Sequence, residues 1–318
     1  MSVKPDGQEN LRHRKSVAIL LCTKNGEKYL EEQLASYQQQ TYSNWRLYVS
    51  DDGSTDNTLA IIRRFADRVP NPVEIKSGPG EGFVQNFLSF LSGPAITADY
   101  FAYSDQDDIW LPDKLERAIA WHETIPPGQP ALYCGRVQVI SADGRDLGLS
   151  PRIPRMPSFK NALVENIASG NTSVFNVAAR NLLGAAGMAS VVLHDWWTYQ
   201  VVTACGGQVW YDMQPCLKYR QHKNNVIGAN RGLYAHIRRA WRLCRGNYKS
   251  NINHNLKELR NIEALFANRE IQEVLDNFQK TRSPSMLMRL NGLRETGVYR
   301  QDKLGNMGLV MAALLKKM

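Results

Sequence analysis

Residues 17–22 form an unbroken apolar run, Val-Ala-Ile-Leu-Leu-Cys. A run without a polar face suits a strand covered on both sides, as in a parallel sheet. The next stretch, Glu27 to Gln39, spaces Tyr29, Leu30, Leu34 and Tyr37 as a helix does. The alternation repeats. Trp45–Ser50 reads as a strand and Thr58–Val69 as a helix with Leu59, Ile62, Phe65 and Ala66 on one face. Val73–Lys76 is a short strand, a helix carries Phe83, Phe87, Phe90 and Leu91, and Tyr100–Ser104 is a fourth strand. Strand, loop and helix in this order predict an α/β sheet.

Each strand closes on a polar cluster: Thr23–Asn25, Asp51–Asp56, Ser77–Gly82 and Asp105–Asp108. In open α/β sheets ligands bind beyond the carboxyl ends of the strands, so four clusters on one rim predict a binding edge. Beyond Trp110 the pattern loosens. A helix is expected from Leu111 to about Glu123 and a strand over Leu132–Ile140. The Pro/Arg-rich Ser150–Pro157 reads as a loop and Gly170–Asn176 as a strand. A helix opens at His194, strands fall at Gln208–Asp212 and Cys216–Arg220, and the chain is mainly helical from Tyr234.

Asp105, Asp107 and Asp108 place three carboxylates in four positions at a strand end. Such crowding disfavours full ionisation unless a counter-charge is present. A divalent cation supplies one, and Mg2+ or Mn2+ favours carboxylate together with phosphate oxygen. The competing explanation is an acidic turn that starts the following helix. Asp51-Asp52-Gly53-Ser54 has the same two readings, as a ligand-binding carboxylate or as a turn.

The segments Ala18–Gly26, Gln39–Tyr42, Asp51–Asp56 and Ser104–Lys114 together resemble the family 2 glycosyltransferases of the GT-A fold. The Asp-Gln-Asp-Asp-x-Trp form, with His194-Asp-Trp-Trp and Tyr219–Gly228, resembles the rhamnosyltransferase-like branch. The resemblance spans about residues 16–230. It implies a GT-A domain there, a short N-terminal extension over residues 1–15 and a basic helical region over residues 231–318.

It also implies roles. Thr23, Asn25, Asp52 and Asp105 would bind a nucleotide-sugar donor, and Asp107 would ligate Mg2+ or Mn2+. His222 is a chemically suitable second ligand, with a loop histidine as the plain alternative. Asp195 would be the base that deprotonates the acceptor hydroxyl, although His194 precedes it where the family usually has Glu. Asn171, Thr172, Trp196 and Trp197 would face the acceptor, with core placement the alternative for the tryptophans. Arg220 and Lys223 are weaker candidates for the diphosphate. The donor expected from the branch is dTDP-rhamnose, with UDP-galactose and UDP-glucose as alternatives, and the acceptor a saccharide or a lipid-linked one.

Charge adds a partner. Residues 1–230 hold 22 Lys/Arg and 23 Asp/Glu, whereas residues 231–318 hold 17 and 7. The whole net charge of +9 therefore comes from the last segment. Around Tyr234, Ile237, Trp241 and Cys244 cluster Arg238, Arg239, Arg242 and Arg245, the composition of an interfacial helix. For the charge, an anionic partner (membrane lipid or nucleic acid) and a solvated basic face are the two expectations; for the helix, they are the inner leaflet of a membrane and packing of its apolar face on the catalytic domain. No nucleic-acid motif accompanies the charge. A sugar nucleotidyltransferase is the enzymatic rival, but the first strand ends in Thr-Lys-Asn-Gly-Glu rather than a Gly-rich Arg/Lys loop. Five cysteines without a C-x-x-C pair predict no disulfide framework and a reducing compartment. The polar Met1–Ser16 predicts no secretory signal, and Met307–Leu315 is too short to span a bilayer. Cytoplasmic residence, with peripheral attachment to the membrane, follows as the expectation.

Overall fold

The computed structural model describes residues 15–92, 96–222 and 247–318. Four strands, β1 (Val17–Thr23), β2 (Trp45–Asp51), β3 (Val73–Ser77) and β4 (Tyr100–Ser104), run parallel in the order β3-β2-β1-β4. They are joined by helices α1 (Leu30–Gln38), α2 (Thr58–Ala66) and α3 (Phe83–Ser92). The apolar run of β1 is buried along its whole length. Its odd positions Val17, Ile19 and Leu21 pack with α1 and α2, while Ala18, Leu20 and Cys22 pack with α3 on the opposite side. Period-two alternation between two covered faces is the physical reason that no polar residue interrupts the run.

The register aligns the strand ends. Thr23 lies beside Asp51, Asp51 beside Ser77, and Leu21 beside Ser104. The four polar clusters therefore emerge on one rim, as the spacing predicts.

The second half of the sheet changes direction. After β5 (Ile109–Trp110) and helix α4 (Lys114–His122) come β6 (Ala131–Ser141) and β7 (Asp146–Leu149). The short helix α5 (Phe159–Ala162), strand β8 (Val174–Asn176) and helix α6 (Val177–Ala186) follow, then helix α7 (His194–Ala204) and strand β9 (Gln208–Gln221). Strand β8 pairs antiparallel to β4 and to β6, and β6 runs parallel to β9. Strand β5 closes the order on β9, and β7 branches from β6. The two strands expected around Pro215 are one long strand whose register against β6 shifts at Gly135 and Arg136. The strand expected over Gly170–Asn176 starts only at Val174, because Gly170–Thr172 forms a tight 3-10 turn.

Helix α7 is buried at all eleven positions. The sheet and α3 cover part of it, and the C-terminal helices lie in the same hydrophobic cluster. Ile252, Leu256 and Leu259 of Asn247–Asn261, and Leu275 and Phe278 of Arg269–Lys280, join Trp197, Tyr199 and Val202 there. Polar ties reinforce the contact. Arg300 pairs with Glu165 at 3.1 Å, and Asn161 Nδ2 donates to the Tyr299 carbonyl at 2.9 Å. The described part of the basic region is thus built onto the catalytic sheet. The expected interfacial helix around Trp241, and Lys223, lie outside the described residues.

Candidate active site

The loop after β1 is shaped by reciprocal clamps. Gln106 accepts from the Lys24 amide at 2.9 Å and donates to the Lys24 carbonyl at 3.0 Å. A Cβ on Gly26 would stand 2.3 Å from Gln106 Oε1, so a larger residue there would displace the Gln106 amide from its clamp. Asn25 is held with φ at 49°, a left-handed conformation that asparagine tolerates better than most residues. Its side chain accepts from the Thr55 amide at 2.8 Å, which joins the first two loops of the rim. Thr23 is buried and donates to Asp51 at 2.8 Å.

Asp52 lies next to this joint. One carboxylate oxygen accepts from the Gly80 amide at 2.7 Å and the other from the Gly82 amide at 3.1 Å. Asp52 therefore organises the Ser77–Gly82 loop. A carboxylate has about four acceptor sites, so two remain for a ligand.

The acidic cluster divides into three environments. Asp108 is wholly buried, takes a 2.5 Å hydrogen bond from Asn171 Nδ2 and accepts from the Arg220 amide at 3.3 Å. Burial, with Asp107 and Asp105 nearby, holds its pKa well above the usual carboxylate range. Asp107 faces His222, whose Nε2 lies 2.6 Å from Oδ2. Asp105 makes no hydrogen bond through its carboxylate to any described residue. Its pKa is pushed up to about 7, first by burial and then by the charges of Asp107 and Asp195. That last influence puts Asp195, ninety residues away in sequence, within electrostatic reach of the cluster.

Asp195 sits in the first turn of α7, where the helix dipole favours an anion. Oδ1 accepts from Asn166 Nδ2 at 3.0 Å and from the Trp196 amide at 2.6 Å, and Oδ2 accepts from the Gly170 amide at 2.9 Å. Burial raises its pKa to about 6 against these lowering bonds. Three donors leave about one lone pair open, in a group that is ionised yet basic near neutral pH. Gly170 must be glycine, since a Cβ there would come 2.7 Å from His194 Nε2.

Asp107, in the loop between β4 and β5, and His222, just past the end of β9, form a two-residue donor set. Among the described residues no group of three Asp, Glu, His or Cys side chains converges as a metal site. One carboxylate and one imidazole suit an ion whose other ligands are substrate phosphate and water.

The acceptor-side expectations are corrected. Trp197 is fully buried and Trp196 is 6% exposed, with its Nε1 donating to the Ala162 carbonyl at 2.7 Å. Both indoles pack in the core, so neither presents a face to a sugar. Asn171 and Thr172 are also buried. Asn171 supports Asp108, while Thr172 donates to the Ser169 carbonyl and accepts from the Gly135 amide. Arg220, a candidate for the diphosphate, is 2% exposed and turned inward, bonding Glu32, the Ala142 carbonyl and the Asp107 carbonyl.

Two residues near the site carry no expectation from the sequence. Lys114 is fully buried, with Nζ 3.3 Å from the centre of the Trp110 ring and donating to the Asn171 carbonyl at 2.6 Å. Burial lowers its pKa to about 7, although Asp108 and Asp105 raise it. Its signal was available, since a lysine that opens a helix opposes the dipole. Asn166 offers no such signal, because it reaches Asp195 only through the loop path.

His194, next to the candidate base, stacks on Phe87 with centroids 3.9 Å apart. Neither ring nitrogen has a hydrogen-bond partner, and burial lowers its pKa to about 3. An unfolded histidine titrates near 6.5. Acidification below that value protonates the unfolded chain first, so His194 stabilises fully above pH ~6.5 and progressively less towards pH 3. By pH 4.5 the loss amounts to about 2–3 kcal/mol. The raised carboxylates change stability in the opposite sense, so a difference between variants isolates the histidine. His194→Leu is expected to show a smaller fall in urea-unfolding free energy between pH 7 and pH 4.5 than the parent. Equal falls would contradict the buried neutral state.

The chain belongs to the glycosyl transferase family 2, whose family model matches residues 18–182. Its sequence is 31% identical to the dTDP-rhamnosyl transferase RfbG of Shigella flexneri over 69% of the chain and 77% of that relative. It is 34% identical to the UDP-Glc:alpha-D-GlcNAc-diphosphoundecaprenol beta-1,3-glucosyltransferase WfgD of Escherichia coli, over 33% of the chain and 40% of that protein. In structure it resembles the mannosyltransferase PcManGT of Pyrobaculum calidifontis, solved with GDP-Man and Mn2+. The TM-score is 0.53 at 17% identity, over 96% of this chain and 86% of the other. The mixed sheet with flanking helices is the GT-A fold.

Proposed function

We propose that this glycosyltransferase moves L-rhamnose from dTDP-rhamnose to a saccharide or lipid-linked acceptor, with inversion at the anomeric carbon, in cell-surface polysaccharide synthesis on the cytoplasmic side of the membrane. The observation that carries the chemistry is the buried Asp195 carboxylate, held by three N–H donors, raised to about pH 6 and sensed by Asp105. The acceptor hydroxyl attacks the anomeric carbon and gives its proton to Asp195, while the bond from that carbon to the diphosphate oxygen breaks. A base with this pKa is ionised at neutral pH and still accepts a proton. Thr23, Asn25 and Asp52 shape the nucleotide end of the rim, and the open acceptor sites of Asp52 suit a pyrimidine N–H. Asp105 faces the donor's sugar side. Asp107 and His222 would hold Mg2+ or Mn2+, which would supply positive charge against the leaving diphosphate.

The rhamnosyl donor is supported by the likeness to RfbG. The likeness to WfgD favours a UDP-hexose as the second reading. Thermal-shift measurements with dTDP-rhamnose, UDP-glucose, UDP-galactose and GDP-mannose, each with and without Mn2+, separate them. A ligand at about a hundred times its Kd stabilises by about 2.7 kcal/mol. The largest Mn2+-dependent shift is expected with dTDP-rhamnose. A larger shift with UDP-glucose or UDP-galactose would reassign the donor.

A further inference from the structure

The last two helices expose apolar side chains where a water-facing surface would carry polar ones. Helix Lys303–Leu314 buries Leu309, Ala312 and Ala313. Its outer side carries Leu304, Met307, Val310 and Met311, continued by Leu315, all 42–64% exposed. Positions 304, 307, 311 and 315 are three or four residues apart and therefore share one helical face. The helix is thus apolar on two sides, and one of them is uncovered.

The preceding helix, Met286–Thr296, extends this surface. Its first turn exposes Met286, Leu287 and Met288, with Leu287 at 70%. Arg289, the next residue, is buried and donates to the carbonyls of Ala313 at 2.5 Å and Leu314 at 3.1 Å. Those bonds set the exposed first turn of one helix beside the last turn of the other. Eight of the seventeen large exposed hydrophobics among the described residues fall within residues 286–315. Contiguous apolar surface of this kind marks an interaction site, whereas scattered single residues do not.

Charge selects the occupant. Residues 280–318 contain eight Lys/Arg against two Asp/Glu, a net of +6. Lys303, Arg294 and Lys316 are exposed and Lys317 is half-buried. The two acids are engaged locally: Glu295 pairs with Lys280 at 3.3 Å, and Asp302 caps its helix through the Gly305 amide at 2.6 Å. A second copy would bring the same positive segment against itself. An anionic bilayer offers both an apolar interior and the opposite charge. Four of the eight exposed side chains are methionines, whose flexibility suits a fluid, irregular partner. No helix among the described residues is long and apolar enough to cross a membrane.

We infer that the face formed by Met286–Met288 and the outer stripe of Lys303–Leu315 is a docking surface for an anionic lipid bilayer, inserting apolar side chains while its basic rim meets the headgroups. It bears on the lipid-linked acceptor proposed above but does not depend on it, because the binding is read without donor or acceptor.

The test is co-sedimentation of the full chain with vesicles of phosphatidylcholine alone and with added phosphatidylglycerol, at low and high salt. Binding to the anionic vesicles, weakened by salt, is expected. L304E/M307E/M311E and, separately, K316E/K317E are each expected to lower partitioning at least about tenfold, since each basic residue adds substantially near anionic lipid. These side chains lie on the outer surface, so melting temperatures should stay close to the parent's, and the lysine pair serves if the apolar triple variant does not fold. The inference is overturned if the parent does not bind, if it binds neutral vesicles equally, or if both variants bind as the parent does. Retained binding in both, lost instead on R238E/R239E/R242E, would assign attachment to that basic stretch. A concentration-dependent dimer abolished by the apolar variant, without vesicle binding by the parent, would assign the face to a second copy.

Discussion

Asp195→Asn is expected to lower transfer by about 10²–10⁴-fold, the range in which a positioned general base contributes, while nucleotide-sugar binding stays close to the parent's. The asparagine cannot take the acceptor proton. It also turns an NH2 towards one of three N–H donors now met by carboxylate oxygens, at Asn166, Gly170 and Trp196. A local stability loss of about 1–3 kcal/mol should accompany the change. Donor-induced thermal shifts separate the two effects. If Asp195 is the base, the shift survives and turnover does not. Loss of donor binding in a folded variant would make Asp195 a donor contact instead. The parent's turnover should fall as pH drops through about 6, because the base acts in its ionised form and burial has raised its pKa to that value. An activity that is flat from pH 7.5 to pH 5 would be inconsistent with this assignment.

Asp107→Asn is expected to abolish Mn2+-dependent donor binding and to cut transfer by about 10³-fold, comparable to the loss of one strong electrostatic contact at a developing charge. The amide can still accept a hydrogen bond from His222, now 2.6 Å from the carboxylate, so the join between the loop before β5 and the end of β9 should persist. A melting temperature near the parent's would show this. His222→Ala should weaken metal dependence in the same direction. Asp108→Asn is the contrasting case. Asp108 is buried and bonded to Asn171 and the Arg220 amide, so its replacement should appear in stability before donor binding. Full metal-dependent activity in Asp107→Asn would remove Asp107 from the site.

The first half of the fold is legible because each physical requirement leaves a local mark. Strand β1 is covered on both faces and reads as continuous apolar sequence. The rim reads as polar punctuation because loops at a sheet edge need turn chemistry. Boundaries shift by a few residues, as for α1, which starts at Leu30 rather than Glu27. The second half depends on long-range pairing, which leaves no such mark. Strand β5 has two residues and exists only through β9. Helix α6 and strand β7 carried no expectation from the sequence.

At the site, the acidic cluster pointed to Asp105 and Asp107 and the family resemblance to Asp195 and His222; the structure brings His222 to Asp107, and the charge of Asp195 acts on Asp105. Solvent access was not legible. Trp196 and Trp197 lie on a helix buried all round, which has no polar face to distinguish inside from outside. Asn171 and Thr172 are polar residues committed to internal bonds, which only the path of the loop reveals.

That fully buried α7 has a consequence for the boundaries along which this chain could be recombined with its relatives. The helix that carries Asp195 packs in one cluster with side chains from Asn247–Asn261 and Arg269–Lys280. A hybrid enzyme joined near residue 230 would split that cluster between two parents and mismatch the seat of its own base. α7 and the helices Asn247–Asn261 and Arg269–Lys280 are therefore best inherited from one parent.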